Sequence, residues 1–167
     1  MGLDHILQSM RTSWPEAVSV QSTCVLAILR FAALLQTNAR TALAPYGLSF
    51  FEFEVLSALR ASSRPHEMVP SELYDAILIS SGGLTKVLRS LEERGFIVRI
   101  AHPGDRRRRP IALTARGQRM AEKAMTSVQQ ADERKLHSSR LTEADYEQLA
   151  SLITRSLPCY ERKSQDP

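Results

Sequence analysis

The sequence contains few of the residues that build covalent, metal or catalytic sites. Its 167 residues include two cysteines, Cys24 and Cys159, which lie far apart and form no Cys-x-x-Cys pair. This excludes a disulfide framework and a cysteine-based zinc site. There is no glycine-rich loop that could cradle a phosphate. The four histidines fall on separate predicted elements: His5, His66, His102 and His137. We therefore predict no metal, no cofactor and no enzymatic activity.

Long apolar runs are also missing. No continuous apolar stretch approaches the ~20 residues that are needed to cross a bilayer. The first five residues, Met1 to His5, lack the cationic and apolar parts of a signal peptide. We therefore expect a cytoplasmic protein with no membrane partner. The length, together with an apolar share of 43%, is typical of one soluble domain or two intimate lobes.

Positive charge is concentrated in one segment. Residues 86–119 hold ten of the 22 Lys and Arg residues but only three of the 18 Asp and Glu residues, a net charge of +7. The other residues sum to −3, so the overall charge of +4 hides one strongly cationic region. A surface of this kind suits a polyanion such as duplex DNA.

Helical periodicity dominates the first half of the chain. A long helix is predicted over residues 20–44, and residues 45–47 end it. Ser49 can cap a second helix, and a third, shorter helix should begin near Ser71. The apolar face of the first of these helices consists of Val25, Ile28, Leu29, Ala32, Leu35, Ala39 and Leu43.

A fourth helix begins at Ser81 and has two different faces. Its apolar stripe consists of Leu84, Val87, Leu88 and Leu91. Its other face offers small, hydroxyl and basic groups, so that face can approach DNA closely and its N-terminus can approach a phosphate. Glu92 and Glu93 near the C-terminal end would be repelled by DNA. We therefore expect only the first two turns to enter a groove.

Two short strands and two more helices follow. Gly95 is a C-cap candidate, and residues 96–100 and 109–113 are predicted to pair as a hairpin. Pro110 lacks an N–H and so favours an edge position. Thr114 should cap a helix that runs to about residue 137, and Thr142 should cap a last helix that starts within residues 141–145. The order of elements predicts a mainly α protein with a small β-hairpin, a winged helix-turn-helix flanked by long helices.

The sequence resembles the MarR-type transcriptional regulators over residues 25–153. The resemblance is strongest in residues 78–86, in residues 91–99 and in a wing pattern formed by Asp105, Arg107, Leu113, Thr114 and Gly117. It implies an obligate two-fold dimer with intertwined outer helices. It divides the chain into an N-terminal extension (1–17), a dimerisation helix (18–46), a winged helix-turn-helix DNA-binding lobe (47–117), C-terminal dimerisation helices (118–161) and a frayed tail (162–167).

The resemblance also implies how DNA is bound. Two recognition helices related by a two-fold axis fit a pseudo-palindromic operator, and Arg107 would enter the minor groove with Asp105 holding it. Lys86 and Arg89 can reach a guanine edge or a phosphate, while the hydroxyl residues position the backbone. The predicted DNA-binding residues are Ser80, Ser81, Gly82, Gly83, Thr85, Lys86, Arg89, Asp105, Arg106, Arg107 and Arg108.

Many members of this family bind small aromatic or phenolic anions in a cleft between the dimer helices and the DNA-binding lobe, and then release DNA. The candidate pocket residues here are Trp14, Phe31, Phe50, Phe53, Arg64 and His66. The branch that responds to urate has an Asp where this chain has Glu54 and an Arg where it has Val87. These two differences argue against a urate response.

The resemblance favours a homodimeric repressor that a small aromatic or anionic effector releases from DNA. One alternative is redox sensing through Cys24, as in a branch of the family that detects organic peroxides. Against it, residues 25–33 contain no tyrosine, and no cationic residue lies between Cys24 and Arg30 to lower the pKa of the thiol. The other alternative is a winged-helix module that binds protein, which would not need a region of charge +7.

Overall fold

The computed structural model describes residues 2–77, 79–100 and 109–161. The chain divides into two compact units, Met1–Asp132 and Glu133–Pro167. The helices are α1 (Leu3–Ser13), α2 (Val20–Leu43), α3 (Phe50–Ala61), α4 (Pro70–Ile77), α5 (Ser81–Glu93), α6 (Ala115–Leu136), α7 (Glu143–Ser156) and the short α8 (Pro158–Glu161). The strands are β1 (Glu67–Met68), β2 (Ile97–Arg99) and β3 (Ile111–Leu113).

The predicted helix starts are confirmed by their capping hydrogen bonds. The Ser49 hydroxyl accepts the N–H of Glu52, and the Glu52 carboxylate accepts the N–H of Ser49 in return, which is a capping box. Thr142 and Asp145 form the same arrangement at the start of α7. At the start of α6, Thr114 accepts the N–H of Gly117. These local bonds satisfy backbone donors that a helix leaves free at its first turn.

Helix α1 lies within the N-terminal extension and is absent from the sequence-based prediction. Its apolar residues recur at helical spacing, and among them Leu7 is buried. They are Leu3, Ile6, Leu7 and Met10. The pattern is therefore visible in the sequence, over a stretch of only three turns.

The core of the first unit lies among α3, α4, α5 and the sheet. Leu56, Leu59, Leu73 and Leu91 are fully buried there, together with Ile111 of β3. The predicted apolar stripe of α5 is confirmed, because Leu84, Leu88 and Leu91 are buried and Val87 packs against the same cluster. This packing fixes which side of α5 faces outward.

The sheet has three strands in the order β1-β3-β2, and all pairs are antiparallel. The predicted pairing of residues 96–100 with residues 109–113 is confirmed by β2 and β3, whereas the expected edge position of the returning strand was wrong. Strand β3 is central, because the two-residue strand β1 pairs with it through Glu67 and Ala112. Pro110 lies just before β3, where its carbonyl oxygen accepts the N–H of Ile100 at 2.8 Å and no N–H is required of it.

Helix α2 carries an apolar stripe whose environment changes along its length. At the C-terminal end, Ala39 and Leu43 are buried in the core, whereas Val25, Ile28 and Leu29 on the same stripe are exposed.

The segment Val20–Tyr46 is also long and apolar enough, at a mean hydropathy of 1.4, to cross a membrane by length and composition. The sequence-based prediction of no such segment rests on unbroken apolar runs, and polar residues interrupt this helix.

The second unit contains α7 and α8. The Tyr146 hydroxyl lies 3.1 Å from the carbonyl oxygen of Leu136 and donates to it, and it lies 2.7 Å from the Ser139 hydroxyl. No residue of α7 is buried. The apolar side of α7 is therefore largely open, with Leu149 and Leu152 exposed, as is Leu157 just after the helix.

Candidate nucleic-acid interface

The predicted DNA-binding residues of α5 and its N-cap share the accessible side of the helix. Gly83 is half-buried and the other six are exposed: Ser80, Ser81, Gly82, Thr85, Lys86 and Arg89. The Ser80 hydroxyl caps the helix by accepting the N–H of Gly83 at 3.3 Å. Four further predicted residues, Asp105, Arg106, Arg107 and Arg108, lie outside the described residues. The α5 set is brought together because Leu84, Leu88 and Leu91 anchor the opposite side.

One row of side chains runs the length of this accessible side, at intervals of four residues. It consists of Ser81, Thr85, Arg89 and Glu93. The Thr85 hydroxyl donates to the carbonyl oxygen of Ser81 at 3.0 Å. The Arg89 Nε donates to the Glu93 carboxylate at 2.8 Å. The row therefore begins with hydroxyl groups and ends in an ion pair.

The two glycines of the first turn differ in what surrounds them. A Cβ on Gly83 would lie 3.0 Å from Ile79 side-chain atoms and 3.1 Å from the Ser80 hydroxyl, which is tighter than ordinary packing. A Cβ on Gly82 would meet nothing within 4 Å. The fold therefore favours glycine at Gly83 but places no steric demand on Gly82, whose open surface is the surface that would face DNA.

Gly82→Ala is expected to leave thermal stability unchanged or slightly higher, because alanine is a better helix former than glycine and has free space here. The same methyl group would stand between the helix and a duplex, so DNA affinity should fall about tenfold, a cost within the range of one poorly fitted base contact. Thermal melting and fluorescence anisotropy measure the two effects. Equal loss of stability and affinity would contradict the assignment of the open Gly82 surface to DNA binding.

The buried carboxylate of Glu52 joins the start of α3 to the end of α5. Glu52 is 6% exposed. Besides the Ser49 N–H, it accepts the Ser90 hydroxyl at 2.7 Å and Nη1 of Arg94 at 3.1 Å. Arg94 also donates to the carbonyl oxygens of Gly47 and Tyr46. This network ties the start of α3 to the end of α5 and so holds α5 in place.

The environment of Glu52 lowers its pKa. Burial acts to raise the pKa, but the hydrogen bonds from Ser90 and Ser49 and the charge of Arg94 outweigh it. Because the pKa is lower in the folded state, Glu52 contributes stability above the unfolded pKa of about 4.3, and this contribution is lost as the pH falls through the folded pKa.

Glu52→Gln should therefore destabilise the protein by about 1–3 kcal/mol at pH 7, because it leaves Arg94 without its buried partner. The difference from the wild type should shrink as the pH falls below the unfolded pKa of about 4.3 and through the lower pKa of the folded state, because Glu52 then becomes protonated. Urea unfolding at pH 7 and in this acidic range measures the difference in stability. Glu54→Gln is the matched control: burial raises the pKa of Glu54, so this variant should not destabilise at pH 7. A Glu52→Gln deficit that is independent of pH would contradict the role of the charge.

Two cavities flank α5 in the described part of the chain. One, of about 560 Å³, lies between α3 and α5 and is lined in part by Phe51, Val87 and Lys86. The other, of about 490 Å³, lies between α4 and α5, where Tyr74 and Arg99 contribute to the lining. Each cavity combines apolar or aromatic surface with one cationic side chain, a combination that suits a small aromatic anion, although the Glu52 carboxylate also lines the first cavity.

The structure does not bring the six predicted pocket residues together. Phe53 is buried in the core and Phe50 packs against it. Trp14, Phe31 and Arg64 are exposed on separate elements, and Nδ1 of His66 lies 2.8 Å from the carbonyl oxygen of Ser62. None of the six lines either cavity beside α5. The proposed redox residue, Cys24, is exposed on α2.

These features define a winged helix-turn-helix protein, and comparison with known proteins gives its family. The MarR family model matches residues 46–108. The HTH-type transcriptional regulator PecS of Dickeya dadantii is 32% identical over 116 residues, which cover 69% of each chain. The HTH-type transcriptional repressor Rv2887 of Mycobacterium tuberculosis is 35% identical over 115 residues, which cover 69% of this chain and 79% of that one. This chain belongs to the MarR family of transcriptional regulators.

Solved structures agree with this assignment. The structure of Rv2887 with salicylic acid has a TM-score of 0.63 at 29% identity, covering 83% of this chain and 96% of that one. Sco3205 of Streptomyces coelicolor, solved in complex with DNA, has a TM-score of 0.74 at 21% identity and covers 89% of this chain and 92% of that one, which shows the fold. Because α2 belongs to this fold, it is not a membrane span.

Proposed function

We propose that the protein is a sequence-specific repressor that binds a pseudo-palindromic operator as a homodimer, with α5 in the major groove. The observation that carries this proposal is the accessible side of α5, where hydroxyl groups, an open glycine surface and two cationic residues, Lys86 and Arg89, lie opposite a buried apolar stripe. Such a helix can lie against base edges while the core holds its other side.

The exposed apolar surface supports the homodimer. Val25, Ile28 and Leu29 of α2 continue a stripe that is buried further along the same helix. Leu149 and Leu152 of α7 are likewise exposed. Surfaces of this kind usually mark a protein interface, and a two-fold partner would cover them. We assign residues 18–46 and 118–161 to dimerisation and residues 47–117 to DNA binding.

The effector is proposed to be a small aromatic anion. The relative Rv2887 was solved in complex with salicylic acid, and the two cavities beside α5 each place a cationic side chain next to apolar surface. A ligand in either cavity would lie against the recognition helix, and its charge would compete with DNA for Lys86 or Arg99. We favour these cavities over the six predicted pocket residues, because those residues do not converge.

Fluorescence anisotropy with the duplex upstream of the protein's own gene, and with a scrambled duplex, tests this function at two salt concentrations. We expect tight binding with a clear preference for the native duplex, and release on addition of salicylate. Equal, weak binding to both duplexes that is lost with salt would overturn the specific regulator. It would leave a protein-binding module as the better interpretation of the fold.

A further inference from the structure

The ion pair at the end of the exposed row places a carboxylate on a DNA-facing arginine. Arg89 and Glu93 lie one turn apart, and their side chains are 81% and 63% exposed. An exposed pair of this kind contributes little to stability, so Arg89 can exchange Glu93 for another anion at little cost. The pair is therefore a labile contact on the side of α5 that would enter the groove.

The other carboxylate at this end of α5 is paired as well. Glu92 accepts Nε of Arg99, in β2, at 3.1 Å. Lys86, in contrast, forms no ion pair with any residue in the described ranges. Of the two cationic side chains proposed to contact DNA from α5, Lys86 thus points its charge freely to solvent and Arg89 is already neutralised.

We propose that Glu93 is a specificity-determining residue. It retains Arg89 in the ion pair when the duplex offers only phosphate, and it releases Arg89 to a matching base edge. The inference rests on the proposed function, since it requires α5 to enter the groove. Exchanging one exposed anion for another is close to neutral. A bidentate arginine contact to guanine discriminates against a wrong base by about 5- to 150-fold, so only a correct site compensates for breaking the pair.

The experiment is a double-mutant cycle on a scrambled duplex, using the wild type, Glu93→Gln, Arg89→Ala and the double variant. Glu93→Gln should tighten binding to the scrambled duplex several-fold and steepen its salt dependence by about one counterion per protomer, because Arg89 becomes free to bind phosphate. Arg89→Ala alone should weaken binding to the scrambled duplex, because it leaves the Glu93 carboxylate unpaired beside DNA, and it should not steepen the salt dependence. Adding Arg89→Ala to Glu93→Gln should reverse both gains. On the operator, Arg89→Ala alone should weaken binding about tenfold or more.

Glu92→Gln is the matched control, because it removes the same charge from the adjacent position of the same helix. Its effect on the scrambled duplex should be independent of Arg89. If Glu93→Gln and Glu92→Gln tighten binding equally, and Arg89→Ala weakens both variants to the same extent as it weakens the wild type, net charge alone is responsible and the proposal is overturned. A wild type that does not prefer the operator would instead overturn the proposed function, while the cycle on the scrambled duplex would still report whether Glu93 withholds Arg89.

Discussion

Replacing Gly117 by alanine is expected to lower the melting temperature by about 6–12 °C, a larger stability loss than that expected for the other substitutions. Gly117 lies in the first turn of α6, where a Cβ would overlap the carbonyl oxygen of Phe96 and would lie 3.2 Å from the Leu113 side chain. Overpacking against a fixed backbone costs about 3 kcal/mol or more. In a protein of this size, each kcal/mol corresponds to about 2–4 °C.

The backbone at Phe96 has little freedom to move away. Its carbonyl oxygen accepts the N–H of Thr114 at 3.0 Å and the Thr114 hydroxyl at 3.2 Å. Its ring is buried and lies beneath the guanidinium groups of Arg94 and Arg116, at 4.8 and 5.0 Å. Thermal melting by circular dichroism measures the effect, with Gly82→Ala as the control glycine. A Gly117→Ala protein that melts like the wild type would show that β2 and α6 can separate.

The elements that could be predicted from the sequence are those whose causes are local. The periodicity of α2 and α5 and the caps Ser49, Thr114 and Thr142 act within a few residues, and all are confirmed. The open side of α5 follows from the same periodicity, since burying one stripe leaves the other in solvent.

The features absent from the prediction mostly depend on residues far apart in the chain. Strand β1 exists because Glu67 pairs with Ala112, and two residues are too few to show strand alternation. Glu52 finds Arg94 only after α3 and α5 have packed. The pair of Arg89 and Glu93 is different, because four-residue spacing on a helix makes it accessible to sequence reasoning. The sequence-based prediction treats Glu93 only as a charge that DNA would repel.

Ile28→Asp is expected to convert the protein to monomers and to weaken operator binding by about a hundredfold or more. Ile28 belongs to the α2 stripe that is exposed beyond Ala39 and Leu43. A carboxylate buried in a dimer interface without a partner costs several kcal/mol. Each monomer would then hold only one half-site, and the gain from binding two linked half-sites, about 10²–10⁴-fold, would be lost.

Thr37→Asp is the matched control on the same helix. Thr37 lies nine residues after Ile28, which is two and a half turns, so it projects from the opposite side. It is exposed, and its hydroxyl donates to the carbonyl oxygen of Ala33. Light scattering should therefore find dimers for Thr37→Asp and monomers for Ile28→Asp, with operator affinity following the oligomeric state. If Ile28→Asp remains dimeric, the exposed stripe of α2 is not the dimer interface. If it becomes monomeric but binds the operator normally, a single α5 suffices for recognition and the two-fold model of the operator fails.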